Sequence, residues 1–232
     1  MAPKVLVILT SQAVIPANNH PSGWFLPEFA HPFDVLTGKV DLTVASPKGG
    51  EAPLDPGSIK FAENDASSVK FLQEQKSLWE NTVKLADVLP KAAEFDAIFY
   101  VGGHGPMFDL TNDPESIALI EKFDAAKKPI AAVCHGPAAL LQAKTSSGQP
   151  LIQGVEVTGL SNAEEDLIGT TPVMPFLLET ELEKLSGKYV KTEPFGNKVV
   201  VSPSGNGTSI ITGQNPASGT GVGEEILKAL GL

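Results

Sequence analysis

Between Lys128 and Leu141 the chain reads Lys128-Pro129-Ile130-Ala131-Ala132-Val133-Cys134-His135-Gly136-Pro137-Ala138-Ala139-Leu140-Leu141. The apolar run Ile130 to Val133, bounded by a proline and a Gly-Pro pair, has the signature of a short parallel strand buried on both faces. Cys134 stands where the strand stops. Gly136 permits a sharp reversal and Pro137 suits the first position of a helix, where its missing N–H costs nothing. Strand, tight turn and helix therefore follow with almost no loop, the geometry of a nucleophile elbow. A thiol at such a turn faces the carboxyl end of the sheet beside the free N–H groups of a helix start, which predicts partial thiolate character. The competing reading is a buried cysteine acting as a small hydrophobe; the surrounding pattern favours the elbow.

Working outward, Lys4 to Leu9 reads as a buried first strand, followed by a Pro- and Asn-rich loop over Thr10 to Gly23. Trp24 to Leu36 has helical spacing interrupted by Pro27 and Pro32, which predicts a kinked or capped helix. Asp41 to Ala45 is a second strand, turned by Ser46-Pro47-Lys48-Gly49-Gly50. Residues 51–95 are less regular, with helical patterning near Val69 to Glu74 and Thr82 to Leu89, and read as a covering insertion. Ala97 to Val101 is a third strand running into Gly102-Gly103-His104-Gly105-Pro106, where glycines let backbone N–H groups approach a ligand. A helix from Asp113-Pro114-Glu115 to about Lys127 returns to the elbow strand. Beyond the elbow follow a short strand over Gly154 to Gly159, a capped turn over Asn162 to Leu167 and a helix over Pro175 to Leu185 ended by Gly187. Two last strands, Lys198 to Ser202 and Thr208 to Thr212, precede a terminal helix. This βαβ alternation predicts one domain over 1–232, a doubly wound, flavodoxin-like α/β sheet, mostly parallel, with helices on both faces and small insertions. Ligands of such sheets sit beyond the strand carboxyl ends, so Cys134, the Gly102-Gly103 turn and Glu28 are expected on one rim.

Composition narrows the function. A formal charge of −10 argues against general binding to nucleic acid or anionic membranes. All 17 basic residues are lysine, so no guanidinium is available to clamp a phosphate, and a small neutral substrate fits better. One cysteine excludes an intrachain disulfide and a CxxC site, and the four histidines show no metal-ligand spacing, so no metal is expected. The apolar run near the N-terminus is too short for a signal peptide and no stretch could span a bilayer, which makes a cytoplasmic location the expectation.

Taken together, the elbow Ala131 to Pro137, the Gly102-Gly103-His104-Gly105 turn, Pro27-Glu28-Phe29-Ala30-His31-Pro32 and Ser46 to Gly50 resemble the PfpI superfamily, also called the DJ-one superfamily. The chain is most similar to its heat-shock-protein-like branch of glutathione-independent glyoxalases III, with the match running from the first strand to Asn215-Pro216-Ala217-Ser218. The resemblance implies Cys134 as nucleophile, His135 as its partner, Glu28 as a further acid, and a triad carboxylate at Glu165, with Glu164 adjacent. It implies conversion of methylglyoxal or a similar 2-oxoaldehyde to D-lactate without cofactor, metal or glutathione, in a monomer or homodimer. It also allows a stress holdase acting on misfolded clients; a cysteine peroxide sensor is a third reading. The stretch Glu193-Pro194-Phe195-Gly196 lacks the tryptophan-acid loop expected of close fungal relatives.

The residues themselves bear on these roles. Glu28 lies among Trp24, Phe25, Leu26 and Phe29, where its pKa should rise and a neutral acid could donate to the thiol; the alternative is a solvated surface acid. His135 serves as a base only if the turn lets its ring reach the sulfur. Glu164, Glu165 and Asp166 equally suit an acidic first helical turn. Gly102, Gly103 and His104 are candidates for substrate and oxyanion binding.

Overall fold

A computed structural model describes residues 2–232, so Met1 lies outside it. The chain opens with β1 (Lys4–Ile8), and the following loop carries a small antiparallel pair, β2 (Val14–Ile15) with β3 (His20–Pro21). Next comes α1 (Leu26–Leu36), which places Pro27 in its first turn, where proline is tolerated, and carries Pro32 internally. β4 (Asp41–Ser46) leads into residues 51–95, which hold α2 (Pro56–Phe61), α3 (Ala66–Glu74), α4 (Lys76–Glu80), β5 (Val83–Lys84) and the single turn α5 (Leu85–Val88). β6 (Ala97–Tyr100) and α6 (Pro114–Ala125) follow, the helix capped by Asp113, whose carboxylate accepts from Ser116 N. The elbow strand is β7 (Ile130–Val133); beyond it lie α7 (Asn162–Leu167), α8 (Leu178–Ser186), β8 (Val199–Pro203), β9 (Ser209–Gly213) and α9 (Gly219–Ala229).

Seven strands form one sheet in the order β5-β4-β1-β6-β7-β9-β8, parallel throughout except for the antiparallel β8–β9 hairpin. Alternating residues feed two cores. Leu6, Ile8, Ile98, Tyr100, Ile130 and Ala132 pack on one face with Leu119, Ile120 and Phe123 of α6. Val5, Val7, Phe99, Ala131 and Val133 pack on the other with Phe29 of α1 and with Val222 and Ile226 of α9. The central strands are covered on both faces, which is why they read as unbroken apolar runs. Among the described residues no helix is long and apolar enough to cross a membrane.

Three local expectations fail. Residues 154–159 make no strand; Val157 forms one isolated bridge with Tyr189. The helical pattern from Thr82 splits, because Val83 and Lys84 pair with Ala45 and Ser46 at the sheet edge before the chain turns into α5. The elbow leads into a short 3₁₀ segment over Gly136–Leu140, not a full α-helix.

Candidate active site

The reversal after β7 is made by Cys134 itself, at φ 59°. A left-handed conformation is strained for any side chain with a Cβ, and such strain persists only where the surroundings over-determine it. Here Cys134 N donates to Gly213 O at 2.9 Å and Cys134 O accepts from Leu160 N at 2.9 Å. The elbow is therefore pinned from both sides. Gly136 has a different task from the one its sequence position suggests: a Cβ there would lie 2.5 Å from Tyr100 O, so glycine permits close approach to β6.

His135 follows on the same turn, buried to 2% exposure. Its Nδ1 lies 3.6 Å from Cys134 Sγ and its Nε2 lies 2.7 Å from Glu165 Oε2. The turn thus directs sulfur and ring toward each other, and the imidazole bridges thiol and carboxylate. Burial works against charge on Glu165, but the adjacent His135, with Thr170 Oγ1 donating to the other oxygen, outweighs it and pulls this carboxyl down to about 2.

The adjacent carboxylates separate cleanly. Glu164 closes a capping box, accepting from Ser161 N at 2.8 Å and Ser161 Oγ at 2.7 Å. It also accepts from Gln214 Nε2 at 3.0 Å, Asn215 Nδ2 at 2.8 Å and Phe195 N at 2.8 Å. Those five donors turn Glu164 away from His135 and hold the start of α7, leaving Glu165 to face the ring. Phe195, which stands where a tryptophan-acid loop was expected, is left-handed at φ 62° and half exposed.

Glu28, on α1, is fully buried, and neither carboxyl oxygen makes a well-formed hydrogen bond. Its nearest polar neighbours are the Cys134 thiol and Gly102 N–H, and burial pushes it up to about 8. The carboxyl is accordingly protonated at neutral pH. A Cβ on Gly102 would come within 2.3 Å of Glu28 Oε2 and 2.6 Å of Val133 O, so a glycine lets β6 end against the acid. Gly103, at φ 93°, turns the chain away. The N–H groups of Gly103 and His135 are paired with no protein acceptor among the described residues.

The expected partial thiolate is not what this enclosure produces. Cys134 is 5% exposed, and burial pushes its thiol well above the ordinary range. The free N–H groups of a short 3₁₀ turn do not offset that desolvation.

His104 completes the rim. Its Nε2 is 3.9 Å from Glu165 Oε1 and its Nδ1 is 3.8 Å from Asp55 Oδ2, while its ring centroid lies 5.0 Å from that of His135. Asp55 and Thr170 went unnoticed in the sequence. Asp55-Pro56 is legible as a helix cap, and its carboxylate does accept from Gly57 N at 2.7 Å, but nothing local marks a neighbour of His104. Thr170 carries no signal at all. Histidines remote from metal-ligand spacing are brought together by the fold: donor atoms of His104, His135 and Glu165 all lie within 4.8 Å of one another.

A cysteine on a strained turn, a histidine bridging it to a carboxylate and a buried neutral acid against the sulfur together equip this site for covalent addition to an electrophilic carbon with proton transfer. The chain as a whole has relatives among known proteins. The chain is 30% identical to "Glyoxalase 3" of Candida albicans over 97% of its own length and 98% of the relative's, and the crystal structure of glyoxalase III from that organism superposes with a TM-score of 0.86 at 27% identity, covering 98% of this chain and 97% of that one. Rapid Encystment Protein 24 KDa of Francisella tularensis is similar at 35% identity with a TM-score of 0.90, covering 98% of this chain and 99% of that one. "Protein/nucleic acid deglycase HchA" of Escherichia coli O157:H7 is 24% identical, covering 95% of this chain and 78% of the relative. The profile of the DJ-1/PfpI family matches residues 26–229. By fold, sequence and the reach of that match, the chain belongs to the DJ-1/PfpI family.

Proposed function

We propose that this chain is a glutathione-independent glyoxalase III, converting methylglyoxal or a similar small 2-oxoaldehyde to a 2-hydroxy acid, D-lactate from methylglyoxal. The observation that carries the reading is the line Cys134–His135–Glu165 with Glu28 set against the sulfur, at 3.6 Å from Sγ to Nδ1 and 2.7 Å from Nε2 to Oε2. It gives a nucleophile, a base with its orienter, and a neutral acid within one enclosure. Similarity to the Candida albicans glyoxalase supports the same chemistry.

The thiol need not be ionised beforehand. As Sγ bonds to the aldehyde carbon, the S–H proton passes to His135 Nδ1, and the resulting imidazolium is stabilised by Glu165. The aldehyde oxygen becomes the hemithioacetal oxyanion, stabilised by the N–H groups of Gly103 and His135 and within reach of the proton on Glu28. The imidazolium returns its proton to the oxyanion, so neutral His135 can remove the C1 proton as the C2 oxygen is protonated, giving an enediol; return of that proton to C2 with loss of the C1 hydroxyl proton leaves C1 as a thioester and C2 as an alcohol. Water cleaves the thioester, restoring the thiol. One carbon is oxidised as its neighbour is reduced, so no electrons leave the substrate and one water is consumed.

Chiral lactate analysis after incubation with methylglyoxal, without glutathione or added metal, tests the reading. The native chain should form D-lactate and Cys134→Ala none while keeping its fold; lactate from the variant at the native rate, or none from well-folded native protein, rejects it.

A further inference from the structure

The two oxygens of Glu165 face two different histidines: Oε2 is 2.7 Å from His135 Nε2 and Oε1 is 3.9 Å from His104 Nε2. The opposite edge of each ring is turned elsewhere, His135 Nδ1 toward Cys134 Sγ at 3.6 Å and His104 Nδ1 toward Asp55 Oδ2 at 3.8 Å. At 3.8 Å Asp55 makes no hydrogen bond to the unliganded ring, but its carboxylate is placed to accept from Nδ1–H once Nε2 takes a metal, the pairing that orients metal-ligating histidines. His104 Nε2 is buried and makes no hydrogen bond. The proposed reaction gives that atom no role.

The geometry points to a reversible inhibitory site for a borderline transition cation, zinc foremost, held by His104 Nε2, His135 Nε2 and one Glu165 oxygen with water as fourth ligand. Two imidazoles and a carboxylate are a zinc donor set, with bonds of about 2.0–2.2 Å that place ligand atoms roughly 3.3 Å apart. His135 Nε2 is 2.7 Å from Oε2 and His104 Nε2 is 3.9 Å from Oε1, and one ligand atom from each of the three residues lies within 4.8 Å of the others, so closing them around one ion takes side-chain shifts of at most about 1.5 Å. His104 retains 16% side-chain exposure, which gives an ion a way in.

Inhibition follows from the tautomer, and this consequence, unlike the binding, rests on the proposed glyoxalase chemistry. With a metal on Nε2, the proton of neutral His135 resides on Nδ1, facing the sulfur. The ring then cannot accept the thiol proton, and its hydrogen bond to Glu165 is lost. No electron transfer or co-reactant is involved; the ring proton moves from one nitrogen to the other.

Calorimetric titration of the chelator-stripped full chain with Zn²⁺, paired with visible spectra on Co²⁺ addition, tests the site. One ion per chain should bind, abolished in His104→Asn and unchanged in His31→Asn, which alters the separate His31–Asp65 pair. Asp55→Asn, which keeps the cap of α2, should weaken binding by about 10–100-fold. Cobalt should give a four-coordinate nitrogen-oxygen spectrum without a thiolate charge-transfer band. Native-like binding in His104→Asn, or a thiolate band lost in Cys134→Ser, overturns the assignment. Zinc binding in a chain that makes no lactate would leave the site standing and reject the glyoxalase; lactate formation without zinc binding would do the reverse.

Discussion

Replacing Glu28 by Gln tests the buried acid through stability, independently of any substrate. Burial takes this carboxyl from 4.5 up to about 8, so across that interval the folded chain holds a proton that the unfolded chain has released. A raised folded pKa contributes stability that is fully present below 4.5 and is lost as pH rises through about 8. The loss is about 1.4 kcal/mol per pH unit, or roughly 5 kcal/mol over the window. Glutamine has nearly the same shape and no proton to bind, so Glu28→Gln lacks this dependence. Urea denaturation of both chains from pH 5 to 9 should show the stability of the variant relative to native rising by about 1.4 kcal/mol per pH unit and levelling above about 8, with other titrating groups cancelling in the difference. A difference that stays constant across the range would mean that Glu28 titrates like a solvated acid and would remove the neutral donor from the mechanism.

Glu165→Gln should lower kcat by about 10⁴-fold with the fold intact, because an amide no longer selects the tautomer that leaves Nδ1 free for the thiol proton; steady-state lactate formation measures it. Gly102→Ala should destabilise by about 1–3 kcal/mol in thermal melts and abolish turnover, since the new methyl meets Glu28 and the Val133 carbonyl. Cys134→Gly and Cys134→Ala should both be inactive, but Gly more stable by about 1 kcal/mol in urea titrations, because only Gly adopts φ 59° without strain. Glu164→Ala should cost about 3 kcal/mol or more in the same assay, since it orphans the donors of Ser161, Phe195, Gln214 and Asn215.

Much of the site was legible because its pieces lie at the ends of strands that announce themselves as buried apolar runs. Cys134, Gly102 and Glu28 could be assigned to one rim from strand order alone. What escaped depends on contacts distant in sequence. Glu164 and Glu165 are indistinguishable until Gln214 and Asn215, 50 and 51 residues from Glu164, claim the first of them. The thiolate expectation weighed a local helix start and could not weigh the enclosure by α1 and Gly102, whose desolvation dominates. Gly136 drew the reversal to itself because cysteine seldom turns left-handed. At residues 154–159 the alternating valines have the strand pattern, but Val157 finds only Tyr189 as a partner.

The hydrogen bonds of Glu164 and Cys134 also tie the middle of the chain to its C-terminal part. Cys134 N pairs with Gly213 O, and Glu164, next to Glu165, pairs with Phe195, Gln214 and Asn215. A nascent chain that has emerged only through β7 carries the cysteine and histidine without the partners that set the elbow and aim Glu165. The elbow is thus a long-range property of the chain: Cys134 takes its left-handed turn, and Glu164 its place beside Glu165, against partners that lie up to about eighty residues further along.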